Sequence, residues 1–368
     1  MKDFFKNYVY PISILSGSII GVGFLSLPYI AVQVGIGWMV LYFVCLTALV
    51  VFLHSIFATI ALKTPDFKRF PGFVEFYLGK RLKIVALVMT MFGSIGVLLI
   101  YLLVGSQFLA SMFGGEPWLW AIGYFLVLSL VVGFGVRLVS KIEFWALVLL
   151  LVSLVLVFVQ GFFTINLSHF SLPPVSHDPK TLFLPYGAII FSLCGVGLIP
   201  DVEELLSGKK RLLRRVVVIG TLIPALFYLL FIFLVVGISG SATTESALVG
   251  LKLFLNPGIV SIALCMGVIT TFTGFVSQGV LLKESLVYDL GMKKWVAWLI
   301  TCACPLLLLL MGVTSFIPLI AFIGGVFLGI NGIFILLMYQ KTGGKAIVVY
   351  PLLVMFFVGM IYELIFLT

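Results

Sequence analysis

Eleven predominantly apolar runs of about twenty residues, separated by short polar stretches, limit what this chain can fold into. A bilayer core of ~30 Å needs roughly 20 apolar residues per helix. The runs fall at about 10–34, 36–62, 84–112, 118–138, 142–165, 181–206, 212–238, 257–285, 293–311, 315–340 and 345–367. Of the 368 residues, 62% are hydrophobic and only 10% charged, well away from a soluble globular composition. A transmembrane barrel is excluded, because its strands would be short and alternating. The expectation is an all-α membrane protein with eleven transmembrane helices in one domain, residues 1–368. The start of the chain has no small-residue cleavage pattern, so its first run reads as a retained span.

Charge orients the spans. With the N-terminus cytoplasmic, 20 of the 22 Lys and Arg residues fall in cytoplasmic segments and only Lys180 and Lys252 fall outside. This is the positive-inside pattern, and it places the C-terminus on the external side of the cytoplasmic membrane. The net charge of +9 follows from topology. The run "GKKRLLRR", Gly208 to Arg215, is therefore an inner-face segment and no argument for nucleic acid. The lipid bilayer is the expected surrounding, and nothing in the sequence sets an oligomeric state.

The first run contains its own helix breakers. Ser16 to Tyr29 reads "SGSIIGVGFLSLPY". Pro28 cannot donate back to the Phe24 carbonyl. Small residues in a span can serve close helix packing. They can also mark a discontinuous helix whose freed backbone groups meet a ligand. Gly21 and Gly23 are two apart and form no i, i+4 ridge, which favours unwinding. Unwound backbone at membrane depth is tolerated only inside protein or along a cavity. Run six, "YGAIIFSLCGVGLIPDVEELLSG" from Tyr186 to Gly208, repeats the arrangement with Gly195, Gly197 and Pro200. Spans one and six are the helices that a five-plus-five inverted repeat would pair. On this reading repeat one covers about 10–165, repeat two about 181–340, and 345–367 is an appended helix. Positive half-helix N-termini suit a carboxylate, and freed carbonyls suit an ammonium or a cation. A zwitterionic amino acid meets both needs.

Gly17 to Tyr29 also resembles the opening helix of the amino acid/auxin permease and hydroxy/aromatic amino acid permease families of the APC superfamily. The matching residues are Gly17, Ser18, Ile20, Gly21, Gly23, Leu25, Ser26, Leu27 and Pro28, with Phe24 a departure. "VGIGW", Val34 to Trp38, is similar to the turn these permeases place before helix two. Thr270, Thr271, Phe272 and Gly274 look like a helix-eight segment of the aromatic branch, and "PDVEEL" resembles the end of helix six in related permeases. The resemblance implies the fold of the leucine transporter type with helices 1 and 6 broken, and an amino acid held between them. The carboxylate would meet the amides of Gly21, Val22 and Gly23. The ammonium would meet carbonyls near Ser16, Ile19 and Phe191, with Gly17 and Ser18 in the same lining. Tyr101, Cys194, Gly195 and Phe322 are its side-chain pocket candidates.

Two coupling ions stay open. For Na+, the resemblance supplies the carbonyls of Gly17 and Ile20 with the hydroxyls of Thr270 and Thr271. The alternative is that these threonines bond to their own helix. For H+, Lys141 is an intramembrane-lysine candidate, set against a plain cytoplasmic anchor. Asp201 and Glu204 are candidate inner-gate residues. His54 reads as a packed neutral histidine. The five cysteines read as small packing residues, with no metal set beyond Na+. Trp118, Trp120 and Trp145 read as an interfacial belt. No catalytic constellation or cofactor-binding loop points to an enzyme. The leading function is secondary active uptake of an amino acid, neutral or aromatic. The alternative is a non-transporting nutrient sensor, since spore-germination receptor subunits share this fold class.

Overall fold

The computed structural model describes residues 5–65, 68–134, 139–171, 175, 178–206 and 209–366, and every regular element among them is helical. The chain opens with a bent pair. Helices α1 (Tyr10–Ile19) and α2 (Leu27–Val34) are joined through a 3-10 turn, Gly23–Ser26, and their halves diverge by 50°. Gly35 follows with φ 86°, a conformation costly for any residue with a Cβ. It reverses the chain within one residue into α3 (Ile36–Ala61).

A short helix, α4 (Phe70–Leu78), comes next, then α5 (Lys80–Phe113), α6 (Pro117–Phe134) and α7 (Val139–Phe162). Gly79, at φ 94°, forms the corner between α4 and α5. Lys83 bonds Glu75 across that corner at 2.6 Å and holds its carboxyl below the usual range.

The second half has α8 (Pro179–Leu193), a 3-10 turn Val196–Leu198, α9 (Ile199–Leu205) and α10 (Lys210–Ser239). It continues with α11 (Ala247–Gly250), α12 (Pro257–Tyr288), α13 (Lys294–Leu310), α14 (Phe316–Phe322), a π-helical segment Ile323–Leu328, α15 (Gly329–Lys341) and α16 (Ala346–Phe366).

Seven of the described spans are long and apolar enough to cross a membrane, and the bent pair makes an eighth. Three shorter apolar helices lie at Pro117–Gly133, Val148–Phe162 and Lys294–Leu310. The chain is thus a multi-pass membrane protein. The structure adds to the sequence expectation in one respect: the connections hold two further helices, α4 and α11, too short to register as apolar runs. The last helix, α16, packs on α8, α15 and the π-helical segment.

α10 lies against α1, α2 and α3, and α12 lies against α5 and α7. The tightest approach is between α8 and the α14–α15 span. A Cβ at Gly187 would overlap the Ala321 carbonyl, and one at Gly324 would overlap the Gly187 carbonyl. Small residues allow such backbone contact where lipid supplies no hydrophobic drive for helix association. Gly187→Ala is therefore expected to destabilise the protein by about 1–3 kcal/mol, the range for overpacking. Thermal unfolding in detergent checks this against Gly123→Ala, where a Cβ meets nothing within 4 Å.

Candidate functional site

The helical ladder of the first span lapses at Gly21. Its N–H turns to the Ile19 carbonyl (2.8 Å) rather than to that of Gly17. The next backbone bond outside the helices runs from Leu25 to the Val22 carbonyl at 3.2 Å. The amides of Val22 and Gly23 thus stand at the start of the second half-helix, where N–H groups lack intrahelical acceptors. Pro28 sits in the first turn of α2, the one part of a helix where its missing N–H costs nothing.

Side chains from three other helices complete this break. Tyr228 of α10, fully buried, donates its hydroxyl to the Ile19 carbonyl at 2.7 Å. Its ring stacks on Phe24 with centroids 5.2 Å apart. Ser16 Oγ donates to the Gly220 carbonyl at 2.9 Å, fixing α1 to α10. Tyr101 of α5 lies between the break and α12: a Cβ at Gly21 would meet its hydroxyl at 3.6 Å, and one at Gly274 its ring at 2.6 Å. Phe191 of α8 covers Gly23, where a Cβ would come within 2.7 Å of the ring.

The second interruption lies at Cys194–Gly195, between α8 and the 3-10 turn. Gly195 packs on α1: a Cβ there would meet Ile19 at 2.7 Å and Leu15 at 3.2 Å. Its N–H donates to His54 Nε2 at 3.2 Å, and His54 Nδ1 meets Thr221 Oγ1 at 2.9 Å. The Thr221 hydroxyl spends its only hydrogen on the Val217 carbonyl at 2.9 Å. His54 is therefore the neutral Nδ1–H tautomer, with both nitrogens engaged. The packed histidine expected from sequence is a brace between α3, α10 and the break. Cys194 borders a cavity of about 20 Å³ shared with His54 and Asn331, room for a single water.

The structure thus gathers Ser16, Ile19, Gly21, Val22, Gly23, Tyr101, Phe191 and Gly195 around the two interruptions. Phe322 instead packs edge-on against Phe327 at 5.4 Å. Thr270 Oγ1 donates to the Met266 carbonyl at 2.9 Å. Thr271 Oγ1 is bonded by Tyr124 (2.9 Å) and the Val268 carbonyl (2.9 Å), so it faces α6. Both hydroxyls donate to carbonyls of their own helix. Asp201 is half-buried on α9, Glu203 likewise, and Glu204 is exposed. Lys141 falls in α7, but its side chain lies outside the described residues. Sequence reasoning missed Tyr228 and the bracing contact of His54. The available signal was a polar atom in an apolar run, which must find an internal partner.

The site is thus a multi-helix membrane domain in which an interruption of the first span packs on a second one between α8 and α9. The chain belongs to the amino acid permease family, whose profile matches residues 8–258. No curated protein matches it by sequence. Among solved structures it is similar to MhsT in complex with L-phenylalanine (16% identity, 97% of each chain covered, TM-score 0.61). It is also similar to Mhp1, a nucleobase-cation-symport-1 family transporter, closed with bromovinylhydantoin bound. There the identity is 12%, the cover 97% of this chain and 90% of that one, and the TM-score 0.64. A third is the Eremococcus coleocola manganese transporter with an aromatic bis-isothiourea compound (13%, 97% and 84%, 0.60). The first two are of the leucine-transporter fold, which this chain shares.

Tyr228→Phe should remove one of the two hydrogen bonds to the Ile19 carbonyl, which keeps the Gly21 N–H. The expected loss is about 0.5–1.5 kcal/mol of stability. Detergent unfolding checks this, with Tyr10→Phe, an exposed site, as the unaffected control.

Proposed function

We propose that the protein carries out secondary active uptake of an amino acid, neutral or aromatic, across the cytoplasmic membrane. On this reading the chain has eleven spans, an inverted five-plus-five repeat and a cytoplasmic N-terminus. Spans one and six are the discontinuous pair, and Asp201 and Glu204 belong to the inner gate. The observation that carries the proposal is the break at Ile20–Val22. It leaves amides at a half-helix N-terminus and ends α1 in carbonyls a few residues away. A carboxylate suits the first and an ammonium the second. Family membership supports an amino acid, as does the phenylalanine bound to MhsT.

The protein would work by alternating access. The substrate sits where the two half-helix pairs meet, and rocking of one bundle against the other exposes it to each side in turn. Tyr101 and Phe191 flank Gly21 and Gly23, so they bound the substrate's side chain in the closed state. The coupling ion is Na+ or H+. The carbonyls of Gly17 and Ile20 with the hydroxyls of Thr270 and Thr271 are offered to sodium on the first choice, and an ionisable side chain, Lys141 in the sequence reading, carries the proton on the second.

The test is uptake of a labelled amino-acid mixture into proteoliposomes, with a sodium or a proton gradient imposed separately. Accumulation under one gradient is the expected result and names the ion. Binding without uptake under either would overturn transport in favour of a nutrient sensor.

A further inference from the structure

Glu363 is the one carboxylate among the described residues that is buried, at 4% exposure, and it lies one turn from the end of a spanning helix. A carboxylate in an apolar run is expensive there and marks function by default. Its surroundings make the cost plain. Oε1 has no hydrogen-bond partner, and the carboxyl meets the backbone N–H of Gly187 on α8. The side chain lies over Gly325 of the π-helical segment, where a Cβ would come 3.1 Å from Oε1. Tyr186, beside Gly187, reaches the other way toward Gly359 of α16, and its hydroxyl is also buried without a partner. A glycine on each side makes room for the other helix's polar group.

The titratable groups facing this spot are Tyr186 from α8 and Tyr362 on the same helix, with Asp178 and Tyr42 beyond Tyr362. Residues 316–328 contribute none, and Tyr339 and Lys341 stand at the far end of α15. No basic group offsets a charge on Glu363 among the described residues. An uncompensated buried charge is costly, and a bound proton removes that cost.

We propose that Glu363 is a proton-binding site that couples proton entry to the packing of α8 and the π-helical segment, and so to substrate. It rests on the transport reading. In the packed arrangement the carboxyl holds its proton as the neutral acid, taken up from water on the outer side. When α16 parts from α8 and Gly325, water reaches the carboxyl, the O–H bond ionises and the proton leaves to it. The link to substrate is short. Gly187 is one turn from Phe191, which covers Gly23, and a Cβ at Gly324 would meet both the Gly187 carbonyl and the Phe191 amide. π-helical turns are a recurrent signature of functional sites in helices.

The test has two readouts. Infrared spectroscopy of the wild-type protein in lipid at neutral pH should show the C=O stretch of a protonated carboxyl, lost in Glu363→Gln and kept in Glu204→Gln. In proteoliposomes, Glu363→Gln mimics the neutral acid. It should keep exchange of a labelled amino-acid mixture at symmetric pH, yet lose accumulation under an inward proton gradient. An ionised carboxylate in the wild type would overturn the proposal. So would proton-driven accumulation that survives Glu363→Gln, or wild-type accumulation driven by sodium alone. Failure of the wild type to exchange any amino acid would instead overturn the transport reading, and the infrared band would still decide the proton site.

Discussion

The structure depends on a constraint the bilayer imposes: a backbone group released from a helix must find a partner inside the protein. Span one releases such groups at Gly21–Gly23, and the neighbouring helices enclose them. Tyr228 caps Ile19, Ser16 ties α1 to α10, and Tyr101 and Phe191 close over the glycines. The span that holds α8 and α9 releases its own at Gly195, which His54 takes up. The two breaks are also packed on each other, since Gly195 rests on Ile19 and Gly23 on Phe191. One interruption could not persist without the other's helices around it.

Glycines do two kinds of work here. At Gly35 and Gly79 a positive φ turns the chain sharply between helices. At Gly23, Gly187, Gly195 and Gly324 the absence of a Cβ lets backbone or a neighbouring side chain approach where a Cβ would collide. The second group joins the site to the α14–α15 span. Helix α8 is held against Ala321 and Gly324 near its middle and reaches the break at its end. A displacement of this helix therefore reaches both the break and the buried Glu363. On the proposed reading, that shared element gives ion and substrate a physical means of sensing each other.

Much of this was legible in the chain. Apolar run length gave the membrane class, and Gly21, Gly23 and Pro28 gave the interruption, because helix breakers act locally. The position of Tyr101 near the break followed from resemblance. What was not legible was pairing across helices. Nothing near Tyr228 or His54 in sequence says that Ile19 or Gly195 waits opposite, about 200 and 140 residues away respectively. Thr270 and Thr271 donate their hydroxyl hydrogens to the Met266 and Val268 carbonyls, and Tyr124 meets Thr271, contacts that no local pattern in the chain announces. Phe322 packs on Phe327 across the π-helical segment that begins just after it, a contact no local pattern announced.

The central claim is that the break in span one receives the substrate's carboxylate. Solid-state NMR can measure it directly, as dipolar coupling between the 13C-carboxyl of a bound labelled amino acid and the 15N backbone amides of Val22 and Gly23. Direct contact between the carboxyl carbon and these nitrogens is predicted. Saturable binding of the amino acid with no coupling to either amide would contradict the account.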